Sequence, residues 1–174
     1  MTDIISEIAS LSKSENPPPI GENEHEAPLI ELLFFAYRDF VSEPDAVLET
    51  YGFGRAHHRI LHFVNRHPGM RVADLLDILK ITKQSLARVL KQLIDGDFII
   101  QKTGDADRRQ RLLHTTDTGR ALASRLLEVQ TKRLRIALAG LTPECRASAA
   151  AFLRGIIDAG EREKVARLIG SGVE

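Results

Sequence analysis

Between positions 83 and 91 the chain carries Lys83, Gln84, Ser85, Arg88 and Lys91 on a background of leucines. Wound as a helix at about 100° per residue, Leu86, Val89, Leu90 and Leu93 share one face. Gln84, Arg88 and Lys91 share the opposite face, with Ala87 and Gln92 beside them and Ser85 at the edge. An outward amide, guanidinium and ammonium suit duplex DNA: Gln can bind adenine bidentately, Arg can bind guanine, and Lys and Ser can hold phosphates. The same pattern also describes an ordinary solvated helix face, so this helix alone leaves both readings open. A second basic cluster follows at Arg108, Arg109 and Arg111. Asp107, two residues before Arg109, can orient its guanidinium through a charge-assisted hydrogen bond. An arginine held at the end of a thin hairpin can enter a narrow minor groove, where the potential is most negative. The competing reading of this cluster is a charged, solvated turn. The two clusters in succession are far more specific than either alone.

The elements that would position these residues can be read from the surrounding pattern. Thr82 is a good N-cap for the helix at about 83–94, which Asp95-Gly96-Asp97 stops. A short helix at about 71–79 precedes it, with Val72, Leu75, Leu76 and Leu79 at helical spacing and Lys80-Ile81 as a tight turn. That pair reads as helix-turn-helix. Phe98-Ile99-Ile100 and Leu112-Leu113 are short strand cores flanking the polar tip 104–110. Upstream, a helix opens at Pro28 and is apolar on more than one face (Leu29, Ile30, Leu32, Leu33, Phe34, Phe35, Tyr37, Phe40, Val41), which suits a subunit interface. Another helix spans about 55–65. After Thr115-Thr116 a long helix runs to about 139, and a last one runs from about Pro143 to Ala159. The expected fold is mainly α with a small β-wing. It divides into a flexible acidic arm (1–27), a dimerisation helix (28–51), a winged helix-turn-helix domain (52–116), and a long helix with a C-terminal dimerisation helix (117–170).

The 174 residues have no net formal charge, which would argue against a polyanionic partner if the charge were evenly spread. It is not. Residues 1–31 hold seven acids against Lys13, a net −6, whereas residues 80–111 hold eight bases against four acids, a net +4. A local basic face is what a polyanion needs. One cysteine, Cys145, excludes an internal disulfide and a multi-cysteine zinc site, and suits a reducing compartment such as the cytoplasm. Met1–Leu11 lacks the basic start of a secretory signal, and no apolar run approaches a membrane span. No Gly-rich phosphate loop, nucleophile elbow or spaced carboxylate pair is present, so the chain is not expected to be an enzyme or to need a cofactor.

The run from Ile78 to Leu93, followed by Phe98-Ile99 and Asp107-Arg108-Arg109-Gln110, resembles the MarR family of bacterial regulators. That family's wing carries an Asp, one spacer and an Arg, here Asp107-Arg108-Arg109. Its Leu-Thr-x-x-Gly helix entry reads here Thr115-Thr116-Asp117-Thr118-Gly119, with Thr115 in place of the usual Leu. The resemblance covers about residues 30–160 and is strongest at 72–119. It implies a homodimer of triangular outline whose first and last helices dimerise. Two winged helix-turn-helix lobes would then read a pseudo-palindromic operator, as a repressor modulated by a small-molecule effector. Thr82, Lys83, Gln84, Ser85, Arg88, Lys91, Asp107, Arg108, Arg109 and Arg111 are the expected DNA-binding residues. By the same resemblance, Tyr37, Arg38, His57, His58 and His62 are candidates to line an effector pocket suited to a small aromatic or carboxylate ligand.

Two alternatives remain open at the level of sequence. A winged helix can serve as a protein-interaction module, its basic face taking an acidic partner. His58 and His62, at i and i+4 beside His57, have zinc-ligand spacing and would suit a metal-responsive regulator, but no nearby Cys, Asp or Glu completes a set, and Arg55 and Arg59 disfavour a cation. The expectation is therefore no metal. Cys145 lies far from the first helix, where some family members sense peroxide, so that mechanism is not carried over.

Overall fold

The computed structural model describes residues 26–104 and 110–170. Contacts divide the chain between Asp39 and Phe40. The boundary falls inside the first helix, α1 (Ala27–Glu49). In residues 26–39, Leu29, Ile30, Leu32, Leu33, Phe34, Phe35 and Tyr37 are all exposed. The Arg38 guanidinium lies 5.0 Å from the Phe35 ring centroid and bonds Asp39.

The second unit begins with the end of α1, where Val41, Pro44 and Leu48 are buried. It continues through α2 (Arg55–Arg66), β1 (Met70–Arg71), α3 (Val72–Leu79), α4 (Lys83–Asp95), β2 (Ile99–Thr103), β3 (Arg111–Thr115), α5 (Asp117–Leu138), α6 (Pro143–Ile156) and α7 (Arg162–Gly170). One core joins the elements from the end of α1 to α5, and α6 and α7 bury no residue of their own. Leu48, Ile60, Leu61, Leu75, Leu86, Leu93, Ile99, Leu113 and Leu126 are almost wholly excluded from solvent, each contributing about 1.5–3 kcal/mol of burial. The sheet has the order β1-β3-β2, antiparallel throughout, with Ile99 opposite Thr115 and Thr103 opposite Arg111.

Two features fix α4 relative to its neighbours. Lys80 takes the left-handed conformation (φ 50°, ψ 41°) as the C-cap of α3, which turns the chain sharply into α4. At the other end, Gly119 in the first turn of α5 lies against the backbone of Phe98, where a Cβ would come within 1.9 Å of the Phe98 carbonyl oxygen. Thr116 completes this junction. Its hydroxyl donates to the Asp97 carbonyl at 2.6 Å and accepts from the Gly119 N–H at 3.0 Å, so the helix entry expected at 115–119 is a close backbone crossing.

Two expectations about the elements change. Arg71 belongs to a strand and not to α3. Its N–H donates to the Asp74 carboxylate at 2.8 Å, so it is an extended N-cap whose backbone pairs with Leu112. The helix expected from Pro143 to Ala159 ends at Ile156, and a separate α7 follows. The Arg162 guanidinium donates to the carbonyls of Gly155 and Ile157, satisfying the end of α6 and holding the bend. Among the described residues no helix is long and apolar enough to cross a membrane.

Candidate nucleic-acid interface

The helix-turn-helix consists of α3, the Lys80 turn and α4. Thr82 caps α4: its Oγ1 accepts from the Ser85 N–H at 3.2 Å and donates to Ser85 Oγ at 2.9 Å. This bond removes one of the orphan donors of the first turn and costs about 1 kcal/mol if lost. Leu86, Val89, Leu90 and Leu93 are buried, so the opposite side of α4 must face outward. Gln84, Arg88 and Lys91 are exposed there, as their spacing predicts, with Ser85 exposed at the edge of that face and Thr82 and Lys83 exposed at the start of the helix. Lys91 is held by Asp95 one turn on, an exposed pair that phosphate oxygens could replace at small cost.

The hairpin beside α4 is closed by the Gly104 N–H donating to the Gln110 carbonyl at 3.1 Å. Arg111 opens β3, and its Nη1 donates to Thr103 Oγ1 at 2.9 Å, which holds its guanidinium against the stem. Asp107, Arg108 and Arg109 lie outside the described residues, so the expected orientation of Arg109 by Asp107 belongs to the sequence reading.

The candidate effector residues fall into separate groups. Tyr37 and Arg38 belong to the first unit and the three histidines to the second. His58 and His62 share one half-buried face of α2. Burial lowers both imidazoles from the usual histidine range. Asp45 pulls His58 back up, while His58 itself adds repulsion at His62. His57 is not on that face. It is buried in the core, its ring stacked on Phe53 at 4.4 Å and 8°. Its Nδ1 accepts from the Gly54 N–H at 3.1 Å, and its Nε2 lies 3.0 Å from Gln92 Oε1 on α4. Burial is the main reason its imidazole is lowered, with the Gln92 bond opposing and Arg88 adding repulsion. Among the described residues no group of three His, Cys, Asp or Glu side chains is placed to hold a metal ion.

Sequence reading placed Gln92 beside the outward face and gave it no partner. The signal was its angle, about 110° from the centre of the leucine face, which puts it on the flank where it can reach a neighbouring helix. Phe53 and Tyr51 lie in the loop before α2, beside Gly52 and Gly54, and carry no periodic signal in the sequence. They stack on each other at 6.1 Å and meet Phe98 edge-on at 5.0 and 5.7 Å, joining that break to the root of the hairpin.

The MarR family model matches residues 51–110. The HTH-type transcriptional regulator PetP of Rhodobacter capsulatus is 43% identical over 129 residues, covering 74% of this chain and 78% of PetP. Among solved structures, Streptococcus pneumoniae FabT in complex with DNA matches with a TM-score of 0.66 at 16% identity, covering 74% of this chain and 92% of FabT. A putative MarR family regulator from Listeria monocytogenes complexed with 26mer DNA matches with a TM-score of 0.65 at 19% identity, covering 78% and 89%. These structural likenesses show the winged-helix fold. The buried leucine face of α4, the paired hairpin and the extent of identity to PetP agree, and the chain belongs to the MarR family of transcriptional regulators.

Proposed function

We propose that this protein binds duplex DNA as a homodimer and that its α4 reads the major groove. The observation that carries the reading is the division of α4: four buried aliphatic residues fix its roll, and Gln84, Arg88 and Lys91 are left exposed on the far side. Gln84 and Arg88 suit base edges. Lys83, Ser85 and Lys91 suit phosphates, and Thr82 holds the cap that presents them. Arg111 at the stem and Arg108 and Arg109 at the tip would follow the backbone into the minor groove. The exposed apolar residues of α1, with Phe152, Leu153 and Ile156 of α6, would meet a second copy. Two lobes related by a dyad read a near-palindrome. In this reading a small aromatic or carboxylate effector, taken up near His58 and His62, relieves repression.

The test is selection of duplexes by the purified protein from a random-sequence pool, followed by titration across salt. The expected outcome is an enriched inverted repeat whose affinity falls steeply and linearly in log–log form as salt rises, because two basic lobes displace counterions from many phosphates. No enrichment, or an affinity indifferent to salt, would remove duplex DNA as the ligand.

A further inference from the structure

His57 is a buried titratable side chain among the described residues, and both of its ring nitrogens are engaged. A backbone N–H can only donate, so Nδ1, which faces the Gly54 N–H, must be the bare nitrogen. The proton then sits on Nε2 and is donated to Gln92 Oε1. The ring thus ties the entry of α2 to α4, and Gln92 lies one helical turn after Arg88 on the same flank.

We propose that His57 is a positioning residue for the reading helix: as a neutral imidazole it fixes α4 through Gln92, and a second proton releases that hold and weakens DNA binding. The proposal rests on the DNA-binding reading above. The second proton can only land on Nδ1, where it would face the Gly54 N–H, donor against donor. The ring must then turn or Gly54 must withdraw. Turning it breaks both the parallel stack on Phe53 and the bond to Gln92. The charged side chain that bears on the ring is Arg88 of α4, of like sign to the imidazolium. The loop before α2 contributes the Gly54 N–H and Phe53. Behind Phe53 lie Phe98 and Tyr51. The new charge would therefore push on a proposed base-reading arginine while the hydrogen bond beside it is lost. Protonation ordinarily tightens the binding of a basic protein to a polyanion, so acid-induced weakening is a distinctive sign.

The experiment uses the full chain and a duplex that it selects from a random-sequence pool at pH 8. Fluorescence anisotropy is followed from pH 8 to 5.5 at fixed salt, with melting temperature as control and 15N NMR of the histidine rings reading the tautomer. The expected results are an Nε2–H tautomer at pH 8 and affinity that weakens as His57 titrates, by at most about tenfold per pH unit per protomer. His57→Gln should flatten the profile, and His67→Gln should keep the parent profile. Gln92→Leu, which leaves the ring in place without its acceptor, should weaken binding already at pH 8. An Nδ1–H tautomer, or a His57→Gln profile like the parent's, would overturn the proposal. If His57→Gln does not fold, Gln92→Leu decides: binding as tight as the parent at pH 8 overturns it. If the parent selects no duplex, the DNA-binding reading fails and takes the DNA consequence with it, while the tautomer and its change in Gln92→Leu still decide whether the tie to α4 exists.

Discussion

An arginine that meets a base edge and one that follows groove width should fail in different ways when removed. Arg88 is exposed on α4, opposite the buried leucines. Arg88→Ala should cost about 1–3 kcal/mol and relax preference at one base position per half-site. Arg109→Ala should weaken binding to most sequences, most of all where A·T-rich flanks narrow the minor groove. Binding of each variant to a library of operator sequences separates the two patterns, and equal melting temperatures show that the fold is kept. Gly119 makes a prediction of another kind. A methyl group there meets the Phe98 carbonyl, which is backbone and cannot rotate away. Gly119→Ala should lower stability by about 1–3 kcal/mol or more, by denaturant melting, with Arg88 untouched. A parental melting curve would show that the crossing can open at no cost. This glycine was legible in the sequence as part of a helix-entry pattern. Its reason was not, because a close approach between Phe98 and residue 119 exists only once the strand and helix have met.

Helix α2 carries or borders most of the histidines that burial perturbs. His57, His58 and His62 lie on it and His67 caps its end, and burial lowers all four imidazoles below the ordinary 6.5. In the unfolded chain they bind protons near 6.5 and in the folded protein only at lower pH, so the unfolded state holds more protons in between. Stability is thus full above about pH 6.5 and is lost as pH falls through the folded values. The midpoint of thermal melting should drop between pH 7.5 and 5, and the loss should shrink in His58→Gln. A flat melting profile would show that these rings titrate as freely in the fold as in water. At this scale most elements were legible, because period 3.6 is printed in the apolar residues of α4, and the short apolar runs of the hairpin flank a polar tip. The misses were of one kind. Arg71 was assigned to a helix although its backbone pairs with Leu112, a partner distant in the sequence. The bend between α6 and α7 depends on where the Arg162 side chain reaches back to. In both, a long-range or side-chain-to-backbone bond overrides local periodicity.

For the whole molecule, the surface apolar content decides. Phe34 is 68% exposed and Leu32 62%, and Phe152, Leu153 and Ile156 are each about half exposed. The exposed apolar side chains of α1 from Leu29 to Tyr37 alone make an apolar surface of a kind that is rare on a soluble monomer. Light scattering at micromolar concentration should therefore give a dimer, and Phe34→Asp with Phe152→Asp should shift it towards monomer. A stable parental monomer would refute the proposed interface. The order β1-β3-β2 has a further consequence, for the way the lobe comes apart. The strand before the helix-turn-helix pairs with the strand that ends the hairpin, Met70 with Leu113, so α3 and α4 lie inside a loop of chain sealed at its base. Neither helix can fray outward from a free end. If α4 opens only when the central strand detaches, amide hydrogen exchange in α4 proceeds with the same free energy as in β3, and faster exchange in α4 alone would refute the coupling. The helix proposed to read DNA would then melt only with the lobe, which leaves it rigid in the free protein and spares the ordering entropy on binding.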